Sequence, residues 1–282
     1  MARVLINGKQ GHSIDVLDRG FQYGDGLFET ILVEAGCATF LAQHFKRLAK
    51  GCVALGFPLL DEAMLRDEIS SLVKAKQSGV LKLIISRGVA ERGFLPPVKP
   101  DITRVISFSE QPVAISRELS VCSLIHCETR LSRQPLLAGI KHLNQLERVL
   151  ARAELRGQEG EGLMLDVKDQ VIEGIMSNLF MVKDNCLITP RLSHSGVAGV
   201  IREFLLDKAK DEGIACEVKE MALCELENAD EIFMTNSLMP VRVINQLVTP
   251  TASIIKSSTG FAQWALNAIA DDIQRQCLES VG

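Results

Sequence analysis

The chain has 282 residues, enough for one large or two ordinary domains with a sizeable core. Hydrophobic residues make up 47% and charged residues 23%, as in ordinary globular proteins, and no apolar run approaches the length of a membrane span. The net charge of −4 excludes the basic field that holds nucleic acid or an anionic membrane surface. The N-terminus enters a strand-like pattern without a signal-peptide core, which favours a cytoplasmic protein.

The thiol and imidazole side chains are scattered along the chain rather than clustered. None of the eight cysteines forms a Cys-x-x-Cys pair, and the five histidines fall in unrelated segments. Zinc sites and disulfide frameworks both need close, regular spacing of such residues. The sequence therefore predicts no metal site and no disulfide framework, and it favours reduced, mostly buried thiols.

The first part of the chain predicts a small α/β domain over residues 1–111. Its apolar patterns indicate short strands, two of which form a hairpin around the turn Ala35-Gly36. The predicted strands cover residues 4–7, 13–16, 27–34, 37–41, 81–87 and 104–109, and the predicted helices cover 42–56 and 62–77. Arg47 lies beside the apolar stripe of the first helix, which would let its side chain reach inward. A long loop over 88–103 joins the last two strands.

A larger C-terminal domain over residues 119–282 is predicted after a linker at 112–118, which contains Pro112. One hairpin is predicted across Asp184-Asn185, a pair that favours a tight turn. Strands are predicted at 119–125, 162–166, 173–182, 186–189, 215–219, 231–235 and 241–245. Helices are predicted from Asn144 onward, from the segment 195–199 to about 212, and over 259–277.

Lys141 stands at the entrance of an amphipathic helix that is predicted to begin at Asn144. Asn144 and Glu147 resemble a capping box. Apolar residues recur at three- and four-residue steps on one face of this helix: Leu146, Val149, Leu150 and Ala153. A lysine that leaves the small, apolar segment 138–140 loses hydration, which favours the neutral amine and makes it a nucleophile toward carbonyls. An ordinary solvated lysine at a helix entrance is the alternative.

Three further segments carry polar groups suited to an anionic or aromatic ligand. The segment 196–202 is flanked by glycine and leads into a helix, so its N–H groups and the helix dipole suit a phosphate. Thr235-Asn236-Ser237 closes a strand with three short polar side chains, which suit either an anion site or an ordinary turn. Glu173 begins a strand, where its carboxylate would either hold a ring nitrogen protonated or lie solvated at the strand edge.

Together these features describe a site for a phosphorylated pyridinium that carries an aldehyde. Lys141 would supply a Schiff base, and Glu173 would be the partner of the ring nitrogen. The helix start at 196–202 and the polar segment at 235–237 would hold the phosphate. Arg47 would add a cationic contact to that phosphate.

The chain resembles the fold-type IV pyridoxal-phosphate enzymes, which include branched-chain and D-amino-acid aminotransferases. The motifs that carry the resemblance stand in the family's order: YGDGLFET at 23–30, HFKRL at 44–48, KHLNQLERVLAR at 141–152, EGIMSNLF at 173–180, GVAGVIRE at 196–203 and TNSLMP at 235–240. They cover nearly the whole length of the chain. AGIKHLN at 138–144, with ISRG at 85–88 and RGF at 92–94, looks most like the members that are 4-amino-4-deoxychorismate lyases of folate biosynthesis.

The resemblance implies a mixed α/β (α+β) fold with a small N-terminal α/β domain and a larger C-terminal pseudo-barrel domain. It also implies a homodimer and pyridoxal 5′-phosphate as the cofactor. Lys141 would form the aldimine with the cofactor and would shuttle the proton. Glu173 would pair with the pyridine nitrogen.

Contacts to the phosphate and to the substrate follow from the same resemblance. The phosphate would be held by Arg47, the N–H groups of Val200 and Ile201, and Asn236 or Ser237. Thr30 falls where the lyases have threonine and the branched-chain aminotransferases have glycine. Arg92 matches a lyase arginine that would bind a substrate carboxylate.

The implied reaction converts 4-amino-4-deoxychorismate to p-aminobenzoate and pyruvate. Lys141 would remove the proton from the amine-bearing carbon, enolpyruvate would leave from the neighbouring carbon, and Thr30 would position or protonate the leaving enolate. A D-amino-acid or branched-chain aminotransferase is the nearest alternative, since it would use the same Lys141 and Glu173. A non-catalytic binder of a phosphorylated ligand is the other alternative.

Overall fold

The computed structural model describes residues 3–111 and 116–279 and separates into two compact units. The first unit comprises Met1–Ile115, Ile140–Asn144 and Ile273–Gly282, and the second comprises Ser116–Gly139 and Gln145–Asp272. Residues 112–115 of the predicted linker lie outside the described residues. The domain division between 111 and 119 stays a prediction, and the first unit also includes two segments from beyond that division.

A six-stranded antiparallel sheet forms the centre of the first unit. Its strands are β1 (Arg3–Ile6), β2 (Lys9–Gln10), β3 (Gly26–Glu34), β4 (Cys37–Ala38), β5 (Gly79–Ser86) and β6 (Thr103–Glu110). Their order across the sheet is β2-β1-β6-β5-β3-β4. β3 pairs with β5 from Gly26 opposite Ser86 to Val33 opposite Gly79, so β3 lies near the sheet edge with only a short partner on its other side.

Three helices accompany this sheet: α1 (Arg19–Tyr23), α2 (Leu41–Leu55) and α3 (Glu62–Leu72). α2 packs closely on β3. The space between them has no room for a side chain at Gly51 of α2, since a Cβ there would lie only 2.8 Å from the δ carbons of Leu27 in β3. The end of a long C-terminal helix, α7 (Gly260–Glu279), also belongs to this unit. There, Gln276 accepts a hydrogen bond from the Phe40 N–H at 2.6 Å.

Several predicted boundaries in this unit are wrong for local reasons. Residues 13–16 form no strand, because the Asp15 side chain accepts the Leu17 N–H at 2.7 Å and turns the chain toward α1. β4 ends at Ala38, since Phe40 adopts a left-handed backbone (φ 53°) before α2. α3 ends at Leu72 rather than at residue 77, because a turn follows in which Lys76 has a φ of 67°.

The second unit contains a nine-stranded mixed sheet. Its strands are β7 (Ser120–His126), β8 (Glu161–Leu165), β9 (Val171–Gly174), β10 (Asn178–Lys183), β11 (Cys186–Pro190), β12 (Cys216–Lys219), β13 (Glu231–Thr235), β14 (Arg242–Val248) and β15 (Ser253–Ile255). Its helices are α4 (Leu146–Glu154), α5 (Val200–Asp211), α6 (Leu223–Glu227) and most of α7. Within the described ranges, no helix combines the length and the hydrophobicity that a membrane span requires.

The path of this sheet returns on itself. The order is β12-β11-β10-β13-β14-β7-β8-β9, with β15 paired to β14. β9 therefore lies at the end of the path, yet a turn over residues 175–177 joins it directly to β10. The single strand predicted at 173–182 is thus wrong, because this turn divides it into two strands. The Gly174 N–H donates to the Ser177 carbonyl at 2.7 Å across that turn. The curled sheet encloses a core that includes Leu163, Leu179, Ile232 and Ile244.

The predicted capping box of α4 is wrong. α4 begins at Leu146, and its N-cap Gln145 makes no side-chain cap. The Asn144 side chain instead donates to the Gly24 carbonyl at 3.1 Å. Glu147 accepts the Ser132 N–H at 2.9 Å. Both side chains thus bind other segments of the chain, which local spacing does not reveal.

The apolar face of α4 is exposed in the single chain. Leu146 is 77% exposed, and Val149 and Leu150 are each 60% exposed. Ala151, on the opposite side of the helix, is fully buried. The periodicity therefore identifies the apolar stripe correctly, but the residues that the structure describes leave the stripe exposed.

Candidate active site

Lys141 is held along the start of β3. The Phe28 N–H donates to the Lys141 carbonyl at 2.9 Å, and the Leu143 N–H donates to the Gly26 carbonyl at 3.0 Å. The segment thus runs antiparallel to β3, beside the part of the strand that β4 does not reach. These bonds fix the backbone of Lys141, and the residue is only partly exposed.

The Lys141 ammonium lies over the ring of Phe28. Its Nζ is 4.3 Å from the ring centroid, and the Nζ of Lys82 is 5.6 Å from the same centroid. Lys82 stands directly opposite Thr30 across β3 and β5, so both side chains lie on the face of the sheet toward which Phe28 points. Cations are attracted to the face of an aromatic ring. This face therefore brings two ammonium groups and the Thr30 hydroxyl to one small, positively charged area.

On the opposite face of β3, Glu29 binds two side chains of α2. Arg47 Nε donates to Glu29 Oε1 at 2.8 Å, and a second Arg47 nitrogen bonds Oε2. The Nδ1 of His44 lies 2.6 Å from the same Oε2. Glu29 and His44 are each 1% exposed, and Arg47 is 7% exposed. Arg47 is thus fixed by a buried carboxylate of the neighbouring strand.

The charges of this cluster follow from its burial. Burial alone would raise the pKa of Glu29, but the charge and hydrogen bonds of Arg47, with the bond to His44, lower it to about 2. Burial lowers the pKa of His44 in spite of the Glu29 carboxylate, so its imidazole is neutral at pH 7. Arg47 and Glu29 are therefore a charged pair with a neutral histidine beside them.

Arg92 lies in a loop that α1 holds in place. Arg19 donates to the carbonyls of Gly93 and Phe94 at 2.7 and 3.0 Å. The Gly93 N–H donates to the Tyr23 hydroxyl at 3.4 Å, and the rings of Tyr23 and Phe94 lie 5.4 Å apart. Arg92 itself is exposed. The loop over 88–103 is therefore shaped next to Arg92 by side chains of α1.

Glu173 is buried in β9 of the second unit, with 2% of its surface exposed. Its Oε1 accepts from Arg148 Nη2 at 2.6 Å, and its Oε2 accepts from Asn178 Nδ2 at 3.2 Å. The Val197 N–H reaches both oxygens, at 3.1 and 3.2 Å. All of these partners are donors and one is a cation, so Glu173 is a buried, fully hydrogen-bonded carboxyl group and not a solvated strand-edge group.

Two glycines before α5 are required by this close packing. Gly196 has a φ of +87°, and a Cβ there would lie 3.0 Å from Glu173 Oε1. A Cβ at Gly199 would lie 1.9 Å from Asn178 Oδ1. Asn178 also donates to the Val197 carbonyl at 2.8 Å. The segment 196–199 is therefore pressed against Glu173 and Asn178.

The start of α5 has the properties of an anion site. The N-cap residue is Gly199, which has no side chain to cap the helix. The N–H groups of Val200 and Ile201 therefore lie in a first turn that has no side-chain cap. The helix dipole adds a partial positive charge at this end. The prediction that these N–H groups hold a phosphate is compatible with this geometry and stays a prediction.

The Asn236 side chain shapes the loop after β13. Its Oδ1 accepts the N–H groups of Leu238 and Met239 at 2.9 and 2.7 Å, and its Nδ2 donates to Ser177 Oγ at 3.2 Å. Thr235, which is 1% exposed, has a buried hydroxyl without a hydrogen-bond partner among the described residues. Thr235 therefore offers a buried hydroxyl beside Asn236.

The predicted site residues are divided between the two units. The group in the first unit contains Thr30, Arg47, Arg92 and Lys141. The group in the second unit contains Glu173, Val200, Ile201, Asn236 and Ser237, the last of which is half-buried. That the two groups act together in one site stays a prediction.

Sequence reasoning missed the residues that hold the predicted ones. These are Glu29 and His44 beside Arg47, Lys82 beside Phe28, and Arg148 and Asn178 beside Glu173. One signal was present for Lys82, because strand alternation and a correct register between β3 and β5 would have placed it opposite Thr30. No local pattern marks Arg148, which lies 25 positions before its carboxylate partner.

Comparisons with known proteins identify the family of the chain. The amino-transferase class IV family model matches residues 26–247. An aminodeoxychorismate lyase of Vibrio harveyi is 38% identical over 251 residues, which are 88% of this chain and 93% of that protein. A putative branched-chain-amino-acid aminotransferase of Methanocaldococcus jannaschii is 31% identical over 86% of this chain and 90% of that protein.

A solved structure extends the likeness to the fold. The crystal structure of 4-amino-4-deoxychorismate lyase from Pseudomonas aeruginosa matches with a TM-score of 0.86 and 39% identity. The match covers 96% of this chain and 99% of that chain, and it confirms the predicted mixed α/β class of fold-type IV. Because the family model spans well over half of the sequence, the chain belongs to the amino-transferase class IV family.

Proposed function

We propose that this chain is a pyridoxal-phosphate-dependent lyase that converts 4-amino-4-deoxychorismate to p-aminobenzoate and pyruvate. The observation that carries the proposal is the likeness to the Vibrio harveyi lyase, which extends over 88% of this chain and 93% of that protein. The structure of the Pseudomonas aeruginosa lyase supports the same activity. The product p-aminobenzoate assigns the reaction to folate biosynthesis.

The residues of the chain fit the functional groups of pyridoxal phosphate. Lys141 offers an amine to the aldehyde, and Glu173 offers a buried carboxyl group to the ring nitrogen. The uncapped start of α5 offers N–H groups to the phosphate. When bound, the cofactor supplies an aldehyde that bonds to amines and a ring that withdraws electrons.

We assign further contacts to the phosphate to polar side chains. We assign Arg47 a charged contact, since Glu29 and α2 fix the direction of its guanidinium. Asn236 or Ser237 adds a neutral contact, and the unpartnered hydroxyl of Thr235 is a further donor next to them. The assignment of Asn236 concerns its Nδ2, because its Oδ1 already accepts two backbone N–H groups.

Lys141 is the base of the proposed reaction. Its amine removes the proton from the substrate carbon that bears the amino group. The bond from the neighbouring carbon to the enolpyruvyl oxygen then breaks, and the leaving enolate takes up a proton to become pyruvate. The substrate ring becomes aromatic, which drives the release of p-aminobenzoate. The backbone bonds to β3 fix the segment that carries this amine.

The substrate carries two carboxylates, so cationic groups are needed beside the amine. Lys82 lies over Phe28 on the same face as Thr30, and we assign it to one carboxylate. We assign the exposed Arg92 to a substrate carboxylate as well. The Thr30 hydroxyl, opposite Lys82, positions or protonates the leaving enolate.

The direct test follows both products from enzymatically made aminodeoxychorismate. We expect pyruvate and p-aminobenzoate in equal amounts without an added amino acceptor. The purified protein should be yellow, and borohydride should fix the cofactor to Lys141, which peptide mass spectrometry detects. A colourless protein that pyridoxal phosphate does not reconstitute would overturn the proposal.

An aminotransferase is the second candidate, because a putative branched-chain aminotransferase is 31% identical to the chain. Incubation with D-alanine or L-leucine plus 2-oxoglutarate tests it. Formation of glutamate at a rate that exceeds pyruvate release from aminodeoxychorismate would favour the aminotransferase over the lyase.

We further propose that the protein is a cytoplasmic homodimer. The exposed stripe of Leu146, Val149 and Leu150 on α4 is the kind of surface that a second copy covers. All eight cysteines are free thiols, which fits a reducing compartment.

A further inference from the structure

We infer that Arg148 is a positioning residue that holds the Glu173 carboxyl group toward the ring nitrogen of the bound cofactor. The inference rests on the proposed function, since it concerns the same site.

The Arg148 guanidinium bridges the carboxylate and the backbone that follows it. Nη2 donates to Glu173 Oε1 at 2.6 Å, and Nη1 donates to the carbonyls of Gly174 and Ile175 at 3.2 and 2.9 Å. The side chains of Arg148 and Glu173 are 17% and 3% exposed. A planar guanidinium has several N–H donors in a forked arrangement and makes these bonds at the same time. The ammonium group of a lysine is a point charge that does not match this forked arrangement.

The two oxygens of Glu173 are held unequally. Oε1 has the short, charged bond from Arg148, whereas the bonds that Asn178 and Val197 give to Oε2 are both 3.2 Å long. Oε2 is therefore the oxygen that is better able to accept a further strong bond. Arg148 thus fixes one side of the carboxylate and leaves the other side for a ring N–H.

The charge of Arg148 also matters, because Glu173 is buried. A buried carboxylate without a cation tends to take up a proton, and a neutral acid is a poor partner for a protonated ring nitrogen. The charge of Arg202 also interacts with Glu173, but the hydrogen bonds of Arg202 go to Thr189 and to the Pro190 carbonyl. Arg148 is the cation that touches the carboxylate.

The test compares two ligands of the full-length protein freed of cofactor. One is pyridoxal phosphate, and the other is its 1-deaza analogue, in which C–H replaces the ring nitrogen. Both carry the aldehyde and the phosphate, so the ratio of their dissociation constants isolates the contact to the ring nitrogen. The ratio is measured by spectroscopic titration for wild type, Arg148→Gln and Arg148→Lys.

Arg152→Gln is the matched control. Arg152 lies one turn further along α4, is exposed, and donates to the Gly160 carbonyl at 3.2 Å. We expect wild type and the control to prefer pyridoxal phosphate to the same degree. Arg148→Gln should lower that preference about tenfold, which corresponds to about 1.4 kcal/mol. Arg148→Lys should lie between them, since it keeps the charge but not the fork. Circular dichroism checks that all variants fold.

Each contrary outcome is distinguishable. An unchanged preference in Arg148→Gln would overturn the inference, as would an equal loss of affinity for both ligands, which signals support of the fold alone. A wild type that binds both ligands equally removes the role of Glu173 and this inference, while pyruvate release still tests the lyase. A wild type that binds neither ligand overturns the proposed function together with the inference.

Discussion

Arg47 and Glu29 form a buried, two-point ion pair, with Arg47 Nε donating to Glu29 Oε1 at 2.8 Å. The pair joins α2 to β3, and the Nδ1 of His44 lies 2.6 Å from the same carboxylate. A guanidinium that is already fixed loses little freedom when it binds an anion. The pair therefore stabilises the fold and also aligns Arg47 for its proposed contact.

We expect the Glu29–Arg47 pair to make the protein sensitive to acid. In the fold, Arg47 and His44 lower the pKa of Glu29 from 4.5 to about 2, against the effect of burial. A carboxyl group whose pKa is lower in the fold than in the unfolded chain stabilises the fold at every pH above its unfolded-chain pKa. This stabilisation is lost as the pH falls from about 4.5 toward 2. The free energy of unfolding should lose about 3 kcal/mol over this window from Glu29 alone. Denaturant titrations at a series of pH values measure it.

A double variant and a surface variant control this measurement. Glu29→Gln with Arg47→Met removes both charges and should flatten the pH dependence in the window. Asp230→Asn, at the exposed pair with Lys183, should leave the dependence nearly unchanged. An equal pH dependence in wild type and in the double variant would contradict the assignment.

Replacement of Lys141 should abolish pyruvate release. Lys141→Ala removes the proposed base and the covalent partner of the cofactor, so we expect a loss of about a thousandfold or more. Lys141→Arg keeps the cation over Phe28 and should be equally inactive, which separates the chemistry from the charge. Turnover above one-tenth of wild type in either folded variant would refute the role.

Lys82 should affect the substrate rather than the cofactor. Lys82→Met removes a cation near Phe28 and should raise KM about tenfold, with little change in the affinity for pyridoxal phosphate. Lys46→Met, on the exposed side of α2, controls for the loss of a surface charge. Steady-state kinetics with aminodeoxychorismate measure both variants. A lower cofactor affinity with an unchanged KM would argue against contact with a carboxylate.

Gly199→Ala should disturb the partner of Glu173. The new Cβ would lie 1.9 Å from Asn178 Oδ1, so Asn178 must move or the segment must shift. We expect thermal stability to fall, by an amount equivalent to about 2 kcal/mol, together with cofactor affinity. Gly260→Ala is the matched control, since nothing lies within 4 Å of its Cβ. Equal melting temperatures for the two variants would show that the packing at residue 199 is looser than described.

A charge on the apolar face of α4 should dissociate the proposed homodimer. Leu150→Glu introduces a carboxylate into a stripe that is exposed in the single chain. Light scattering after size exclusion should report twice the chain mass for wild type and the single mass for the variant. Val53→Glu, at a 71% exposed apolar residue of α2, is the control and should stay dimeric. A monomeric wild type would refute the dimer.

Sequence periodicity predicted many of the helices and strands but not what covers them. The stripe on α4 is real, yet its exposure depends on neighbours that no local pattern specifies. Strong local signals gave accurate elements, as in the hairpin across Asp184 and Asn185, which both adopt a left-handed backbone. The short elements α1, α6, β2 and β15 were missed, because a few residues carry little periodicity.

For the candidate site, too, the sequence identified residues but not their tertiary neighbours. Motif resemblance pointed to the residues that we propose to contact the ligand, such as Lys141 and Glu173. It missed residues whose importance comes only from tertiary contact, such as Glu29 under Arg47 and Arg148 beside Glu173. Asn144 shows the reverse error, because its spacing to Glu147 suggested a cap, whereas its side chain binds the Gly24 carbonyl.

The first unit is assembled from segments that are far apart in the gene. Residues 273–279 leave the ribosome long after β3 and α2, yet Gln276 supplies the acceptor for the Phe40 N–H at the entrance of α2. The part of the protein that is translated first therefore cannot complete its contacts until those late residues emerge. Premature stop codons between residues 111 and 273 should consequently damage the N-terminal sheet, even though they leave every one of its strands in the chain.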